Sequence, residues 1–308
     1  MKKVIITGAT SFLGRNTVKR LLSQNFELYL VVRNVYPTFS SFIGNDKIHI
    51  IQTTLDNLGV IRNHVDRADI FIHFAWAGSG NEGRASDNIQ AENVMNSCQA
   101  LNIANELKCK MFIFPGSQAE YGNIDFEITE DVECTPVSPY GKAKYRFGLF
   151  ADEFCKDKEI SFVHLRIFSV YGPDDRKGTL VDECINVFSE DGSLRLGACE
   201  QKWNYLYISD FTDLIFEMIQ KGCKSGIYNV GGEETEILKK FVLTIKQLCG
   251  NKGEVSFDGK ASNPEGSPNL MPNIGRIKAE VGWQPRVTFE LGIEEILRRK
   301  KENEVICS

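Results

Sequence analysis

Apolar residues in the first half of the chain come in short, nearly unbroken runs, separated by longer stretches of mixed polarity. Val4-Ile5-Ile6 is the first run; residues 28–32, 48–52, 70–74, 111–114 and 162–165 are the next five. Successive strand side chains leave by opposite faces, so a continuous apolar run predicts a strand covered on both sides. Between the runs the spacing turns helical. Val94, Cys98, Leu101, Ala104 and Leu107 stand 4, 3, 3 and 3 apart, and Ala143, Phe147, Phe150 and Phe154 stand 4, 3 and 4 apart. Strands alternating with helices predict an α/β fold, a doubly wound parallel sheet with helices on both faces. Gly59 and the 38–41 stretch read as loop punctuation.

The second half is less regular. Residues 206–208 read as a short strand, and 211–219 as a helix capped by Ser209 or Asp210. Residues 227–230 read as a strand ended by Gly231-Gly232. Gly259, Pro264, Gly266, Pro268 and Pro272 mark 258–273 as a surface loop.

Composition narrows the function classes. With 308 residues, 42% apolar and 25% charged, the chain can bury a large core without disulfide or metal staples. Its net charge of −5 argues against a nucleic-acid binder, which would show a basic surface. Nine cysteines are an odd number, no two are separated by only two residues, and none is flanked by histidines at ligand spacing. They read as buried or loop thiols of a reducing compartment, not as a zinc site. Only Val4-Ile5-Ile6 follows the basic Met1-Lys2-Lys3 before polar residues, and no apolar window approaches membrane length. The expectation is a cytoplasmic protein with no metal, nucleic-acid or membrane partner.

Candidate chemistry begins at Thr7-Gly8-Ala9-Thr10-Ser11-Phe12-Leu13-Gly14, which follows the first run and opens a helix. Gly8 would let the chain turn sharply, and Gly14 would let helix and strand pack closely. The helix N-terminus then offers free N–H groups to a pyrophosphate. Any strand-to-helix turn favours glycine, but its place on the first strand favours dinucleotide binding. Arg33 ends the second run, near where an adenosine ribose would lie. A cation there pairs with a 2′-phosphate and favours NADP(H) over NAD(H); a solvated strand-end charge is the alternative.

Ser138-Pro139-Tyr140-Gly141-Lys142-Ala143-Lys144 opens the second helical stretch. Tyr140 and Lys144 are four apart and share a face, beside the apolar stripe at the rim of the core. An ammonium near a phenol favours the phenolate and lowers its pKa from ~10. Such a tyrosine can exchange a proton near neutral pH. Alone, the pair is also an ordinary helix face. Gly116-Ser117-Gln118-Ala119-Glu120-Tyr121-Gly122 follows the 111–114 run at the carboxyl edge of the sheet, where open α/β folds bind ligands. Ser117 there could hydrogen-bond a reacting oxygen; a polar loop is the alternative.

Together these elements resemble the extended short-chain dehydrogenase/reductase family of sugar-nucleotide epimerases, dehydratases and reductases. The resemblance covers nearly the whole chain. It extends to Arg166-Ile167-Phe168-Ser169-Val170-Tyr171-Gly172-Pro173 and to Val281-Gly282-Trp283-Gln284-Pro285. It implies a Rossmann-type domain over 1–172 with returns at about 206–232. A smaller interleaved substrate domain would be drawn mainly from 173–205 and 233–308. It also implies Ser117, Tyr140 and Lys144 as the catalytic set. The implied cofactor-binding residues are Gly8, Ser11, Phe12, Leu13, Gly14, Arg33, Leu55, Phe74, Ala75, Tyr140, Lys144 and Phe168. Trp76, Gln118, Ser169, Trp203 and Tyr205 would receive the nucleotide-sugar substrate, although core packing suits the aromatic ones equally well. A homodimer is implied as well.

Departures narrow the subgroup. Ser11 stands where the family's middle glycine is usual. Gln118-Ala119 stand where 4,6-dehydratases carry an Asp-Glu acid and base, which disfavours dehydration. Ser169 and Trp203-Asn204 replace an Asn and an Arg-Asp pair common in epimerases. The segments 73–78, 116–122 and 203–208 resemble reductases of 4-keto-6-deoxy nucleotide sugars. The implied reaction is NADPH-dependent reduction of the 4-keto group of a nucleotide-linked 4-keto-6-deoxyhexose in deoxysugar biosynthesis. A 4-epimerase with tightly bound NAD and a non-catalytic dinucleotide-responsive protein stay open. His73 reads as structural and Asn93 as a support of the site. Arg166 reads as a phosphate contact or an internal pair, and Arg298-Arg299-Lys300-Lys301 as a solvated helix end.

Overall fold

The computed structural model describes residues 1–34, 44–259 and 269–307, without the side chains of Asn81 and 303–307. The punctuation expected at 38–41, most of the 258–273 loop and the Cys307 thiol lie outside the described residues. The chain runs β1 (Lys2–Thr7), α1 (Phe12–Leu22), β2 (Phe26–Val32), β3 (Ile48–Gln52), β4 (Ile70–His73), α2 (Asn81–Arg84), α3 (Asp87–Glu106), β5 (Met111–Ser117), α4 (Pro139–Lys156) and β6 (Ser161–Ile167). It continues through β7 (Val170–Tyr171), α5 (Leu180–Ser189), β8 (Ser193–Arg195), β9 (Lys202–Asn204), β10 (Leu206–Tyr207), α6 (Ile208–Lys221) and β11 (Gly226–Val230). It closes with β12 (Thr235–Ile237), α7 (Leu238–Leu248), β13 (Glu254–Ser256), α8 (Gly275–Val281) and α9 (Phe289–Cys307).

Seven strands form one sheet in the order β11-β6-β5-β4-β1-β2-β3, every neighbouring pair parallel. All seven coincide with segments read as strands, six as apolar runs and β11 as the strand at 227–230, and the expected doubly wound fold is present. The chain builds outward from β1 to β3, then crosses back to β4. The crevice for a ligand therefore opens beyond the carboxyl ends of β1 and β4. Alternation supplies both cores. Val4, Ile6, Leu28, Leu30 and Ile72 face Val18 and Leu21 of α1 and Phe211 and Ile215 of α6. Ile5, Tyr29, Val31, Phe71 and Phe112 face Leu101 and Ala104 of α3 and Phe147 and Ala151 of α4. Each of these large side chains contributes about 1.5–3 kcal/mol by burial.

Several expectations are corrected. Gly59 lies inside a 3-10 stretch, Leu55–Asn63, instead of punctuating a loop. Residue 208 starts α6 instead of ending a strand, and Tyr207 takes the N-cap position without a side-chain cap bond. Asp210 instead accepts the N–H groups of Arg286 and Val287 at 3.0 and 2.9 Å, tying α6 to the segment after Trp283. Phe150 is 44% exposed, so the α4 stripe leaves the core before its end. Arg298-Arg299-Lys300-Lys301 stand inside α9, where Arg298 and Arg299 pair with Glu295. The eight described cysteines are free thiols, and no helix among the described residues is long and apolar enough to cross a membrane.

Candidate active site

The first component forms where β1 gives way to α1. Gly8 adopts φ +66°, the left-handed region that favours glycine. A side-chain carbon there would stand 2.6 Å from the Ala75 nitrogen, and one at Gly14 would collide with the Gly8 carbonyl. Two glycines thus let β1, α1 and the segment after β4 approach one another. Ser11 is the N-cap of α1, and its hydroxyl accepts the Gly14 N–H at 3.1 Å. That is the physical role of a serine at this position: it caps the helix. The amides of Phe12 and Leu13, in the first turn, have no carbonyl available within the helix. Below them the Thr7 hydroxyl donates to His73 Nδ1 at 2.8 Å, and His73 Nε2 donates to Ser97 at 3.1 Å. Burial drives His73 down to about 3, assisted by the charge of Lys144, so the imidazole is neutral and structural.

The second component is the end of β5. This strand runs three residues beyond the apolar run, so Ser117 is its last residue and is buried. Ser117 caps a single turn, Gln118–Glu120. Its hydroxyl accepts the Ala119 N–H at 3.2 Å, while Glu120 accepts the Ser117 N–H at 2.8 Å. The reciprocal pair is a capping box. Glu120 is fully buried and also meets His164 Nε2 at 3.0 Å and Arg166 Nε at 3.1 Å. Burial would raise its pKa, but these cationic and N–H partners hold it below the usual carboxylate range.

The third component is the start of α4, capped by Ser138, whose hydroxyl accepts the Gly141 N–H. Gly141 lies against the Ala119 carbonyl with no room for a side chain, which brings Tyr140 beside the Ser117 turn. Lys144 is buried, not at the rim. Its ammonium donates to the Pro115 carbonyl at 2.8 Å and lies 3.7 Å from the Trp76 ring centre and 5.7 Å from that of Tyr140. Trp76 covers it because the loop after β4 is pinned from α3. Gln90 accepts the Trp76 indole N–H at 2.8 Å, and Asn93 makes two 2.9 Å bonds to the main chain of Ala77. Burial holds Lys144 well below the usual lysine range, with Glu120 opposing that shift and Arg84 adding to it. The Arg84 guanidinium lies 4.0 Å from the centre of the Tyr140 ring, which also meets Trp76 edge-on at 6.2 Å. A serine, a phenol and an ammonium thus share one recess past the sheet edge, a set suited to placing a proton on a substrate oxygen.

This arrangement agrees with what sequence comparison finds: the profile of the NAD dependent epimerase/dehydratase family matches residues 4–231. The chain belongs to this family. It is accordingly an NAD(P)-dependent enzyme of the short-chain dehydrogenase/reductase type. The dTDP-4-dehydro-6-deoxyglucose reductase of Escherichia coli is 26% identical to it, covering 96% of each chain. The CDP-abequose synthase of Salmonella typhimurium is 22% identical, covering 96% of this chain and 97% of its own. In three dimensions it is similar to a UDP-glucuronic acid 4-epimerase from Bacillus cereus, solved with UDP-glucuronic acid and NAD. That TM-score is 0.84 at 21% identity, over 98% of this chain and 99% of the other.

The remaining residues named from sequence fall in several places in this family member. Phe74 and Ala75 border the Gly8 turn, but the Phe74 ring turns inward onto Phe211. Leu55 packs on the α3 side of the sheet, and Arg33 is exposed where β2 ends. Phe168 packs with Tyr121, while the Ser169 carbonyl accepts the Leu206 N–H. Trp203 borders the same cluster, and its indole N–H and Arg166 Nη1 are buried without a partner among the described residues. Tyr205 meets the Trp203 ring at 6.3 Å and packs on its other sides among Tyr171, Phe241 and Phe289, beside a cavity of about 230 Å³. Arg84 gave no sequence signal, because α2 is a four-residue helix inside a loop. Glu120 did give one: a serine three residues before a glutamate is a capping-box pattern.

Proposed function

We propose that this chain reduces the 4-keto group of a nucleotide-linked 4-keto-6-deoxyhexose, using NADPH in preference to NADH. The turn after Ser117 carries this choice. Dehydration needs an acid and a base beside the sugar, and here those positions are Gln118 and Ala119. The turn's carboxylate, Glu120, is buried with both oxygens engaged by Ser117, His164 and Arg166. The E. coli and Salmonella relatives, a reductase and a synthase by name, support reduction. The likeness to a solved epimerase keeps 4-epimerisation as the competing reading.

A dinucleotide fits the first component, since Gly8 and Gly14 let β1, α1 and the segment after β4 close up beneath the α1 N-terminus, whose Phe12 and Leu13 amides suit a pyrophosphate. Arg33, exposed at the end of β2, supports a 2′-phosphate and so NADP(H). When bound, the nicotinamide supplies hydride. The chain's own groups place the proton. The Ser117 hydroxyl donates to the ketone oxygen and aligns it, and the Tyr140 phenol transfers its proton to that oxygen as the alcohol forms. Lys144 holds the ribose hydroxyls and stabilises the phenolate left behind, under the cover of Trp76. Gln118, Ser169, Trp203 and Tyr205, with residues 173–205 and 233–308, receive the nucleotide sugar in this reading. The Trp203 indole N–H and Arg166 Nη1 offer it two donors that have no partner among the described residues.

The protein works in the cytoplasm as a homodimer in this reading. α3 and α4 lie side by side and leave Met95, Leu149 and Phe150 exposed, an apolar surface suited to a second copy. The first test is what the purified protein carries. Protein that is free of nucleotide and binds NADPH more tightly than NADH fits a reductase, which exchanges its cofactor every turn. Tightly retained NAD⁺ would instead favour the 4-epimerase.

A further inference from the structure

Beneath the candidate site lies a carboxylate that no step above uses. We infer that Glu120 is a positioning residue: it clamps the Ser117 main chain from below and is the buried negative charge against which the Lys144 ammonium is held. The inference rests on reading Ser117 and Lys144 as parts of one active site.

The geometry supports both roles. Pro115 and Ser117 are two residues apart on β5. The Pro115 carbonyl accepts from Lys144 at 2.8 Å, and the Ser117 N–H donates to Glu120 at 2.8 Å. The carboxylate cannot drift. His164 holds Oε1, Arg166 holds Oε2, and the Arg166 guanidinium lies 4.4 Å from the centre of the Tyr121 ring. Gly116 seals the packing, because a side-chain carbon there would stand 2.6 Å from His164 Cδ2 and collide with Glu120.

The surroundings of Lys144 give the charge its meaning. Its own helix contributes Tyr140, and β5 contributes the Phe114 ring and the Pro115 carbonyl. β4 brings His73, which is neutral, and the loop after it brings Trp76. α2 brings Arg84, a second cation, and the turn after β5 brings Glu120. Of the charges acting on Lys144, Glu120 keeps the proton on and Arg84 works to remove it. A buried ammonium facing a second cation loses its proton readily. Glu120 is the group that lets Lys144 stay charged where a cofactor ribose and a phenolate need it.

The test needs neither cofactor nor substrate, so its failure is separable from failure of the proposed reaction. Protein carrying isotope-labelled lysine is titrated by NMR, with the Lys144 signal assigned by its loss in Lys144→Met. Glu120→Gln keeps the shape and removes the charge, and the Lys144 midpoint should fall by about one pH unit. Glu120→Asp keeps the charge and withdraws it from Ser117. The midpoint should hold within about a few tenths of a unit, while hydrogen exchange at the Ser117 amide speeds up about tenfold or more. If Glu120→Gln does not fold, Glu120→Gln/Arg166→Gln replaces the buried ion pair with two amides, and the fall is then read against Arg166→Gln alone, which removes the arginine's own charge from the comparison. An unmoved Lys144 midpoint in whichever variant folds overturns the charge role. Unchanged Ser117 exchange in Glu120→Asp overturns the clamp.

Discussion

Replacing Tyr140 with Phe removes one oxygen and leaves the rest of the recess in place. The ring keeps its edge-on contact with Trp76 at 6.2 Å and its place 4.0 Å from the Arg84 guanidinium, because both depend on the aromatic system and not on the hydroxyl. The cap of α4 runs from Gly141 to Ser138 and does not involve the phenol. Folding and cofactor affinity should therefore change little. The proton transfer should be lost. A well-placed general acid contributes about 10²–10⁴-fold, so the barrier should rise by about 2.7–5.4 kcal/mol at about 1.36 kcal/mol per tenfold. Initial rates of NADPH oxidation give the loss, and quenching of protein fluorescence by NADPH gives the affinity. Turnover within about threefold of wild type would refute the role assigned to Tyr140. A parallel loss of cofactor affinity would move the residue from chemistry to binding.

Three further outcomes follow from the same structure. Arg33→Ala should lower kcat/KM for NADPH about ten- to a hundredfold while leaving NADH nearly unchanged, and an unchanged ratio would mean the arginine only solvates the end of β2. His73 titrates at about 3 when folded against an ordinary 6.5, so the unfolded chain binds the extra proton between those values and stability falls as pH drops through that window. Between pH ~6.5 and ~5 the penalty is about 2 kcal/mol, and denaturant titrations should show that part of the slope missing in His73→Gln. Phe150→Glu should convert a dimer to a monomer in light scattering without loss of fold, and a dimer that persists would move the interface away from α4.

The sheet was legible in the sequence because a parallel strand buried on both faces leaves an apolar run that needs no context. The two- and three-residue strands β7–β9, β12 and β13 are too short for a period-two pattern to register. Ser117, Tyr140 and Lys144 could be picked out by spacing and order, but their surroundings could not. Helical arithmetic put Lys144 at the rim of the core. A tryptophan from another loop, pinned by Gln90 on α3, encloses it. Asp210 looked like a helix cap until the segment at Arg286 and Val287 supplied the donors it faces. The burial of Glu120 was not legible for the same reason, since the partners that let it be buried, His164 and Arg166, lie on β6. Local patterns fixed elements and candidate chemistry, while burial and charge balance came from contacts between distant segments.

The central claim, reduction of a 4-keto sugar, is tested most directly by following NADPH absorbance with CDP-, dTDP-, GDP- and UDP-linked 4-keto-6-deoxyhexoses. The account predicts stoichiometric NADPH oxidation with at least one of them and a marked preference for one nucleotide. Failure to oxidise NADPH or NADH with any of them, by folded protein that binds the cofactor, would contradict it.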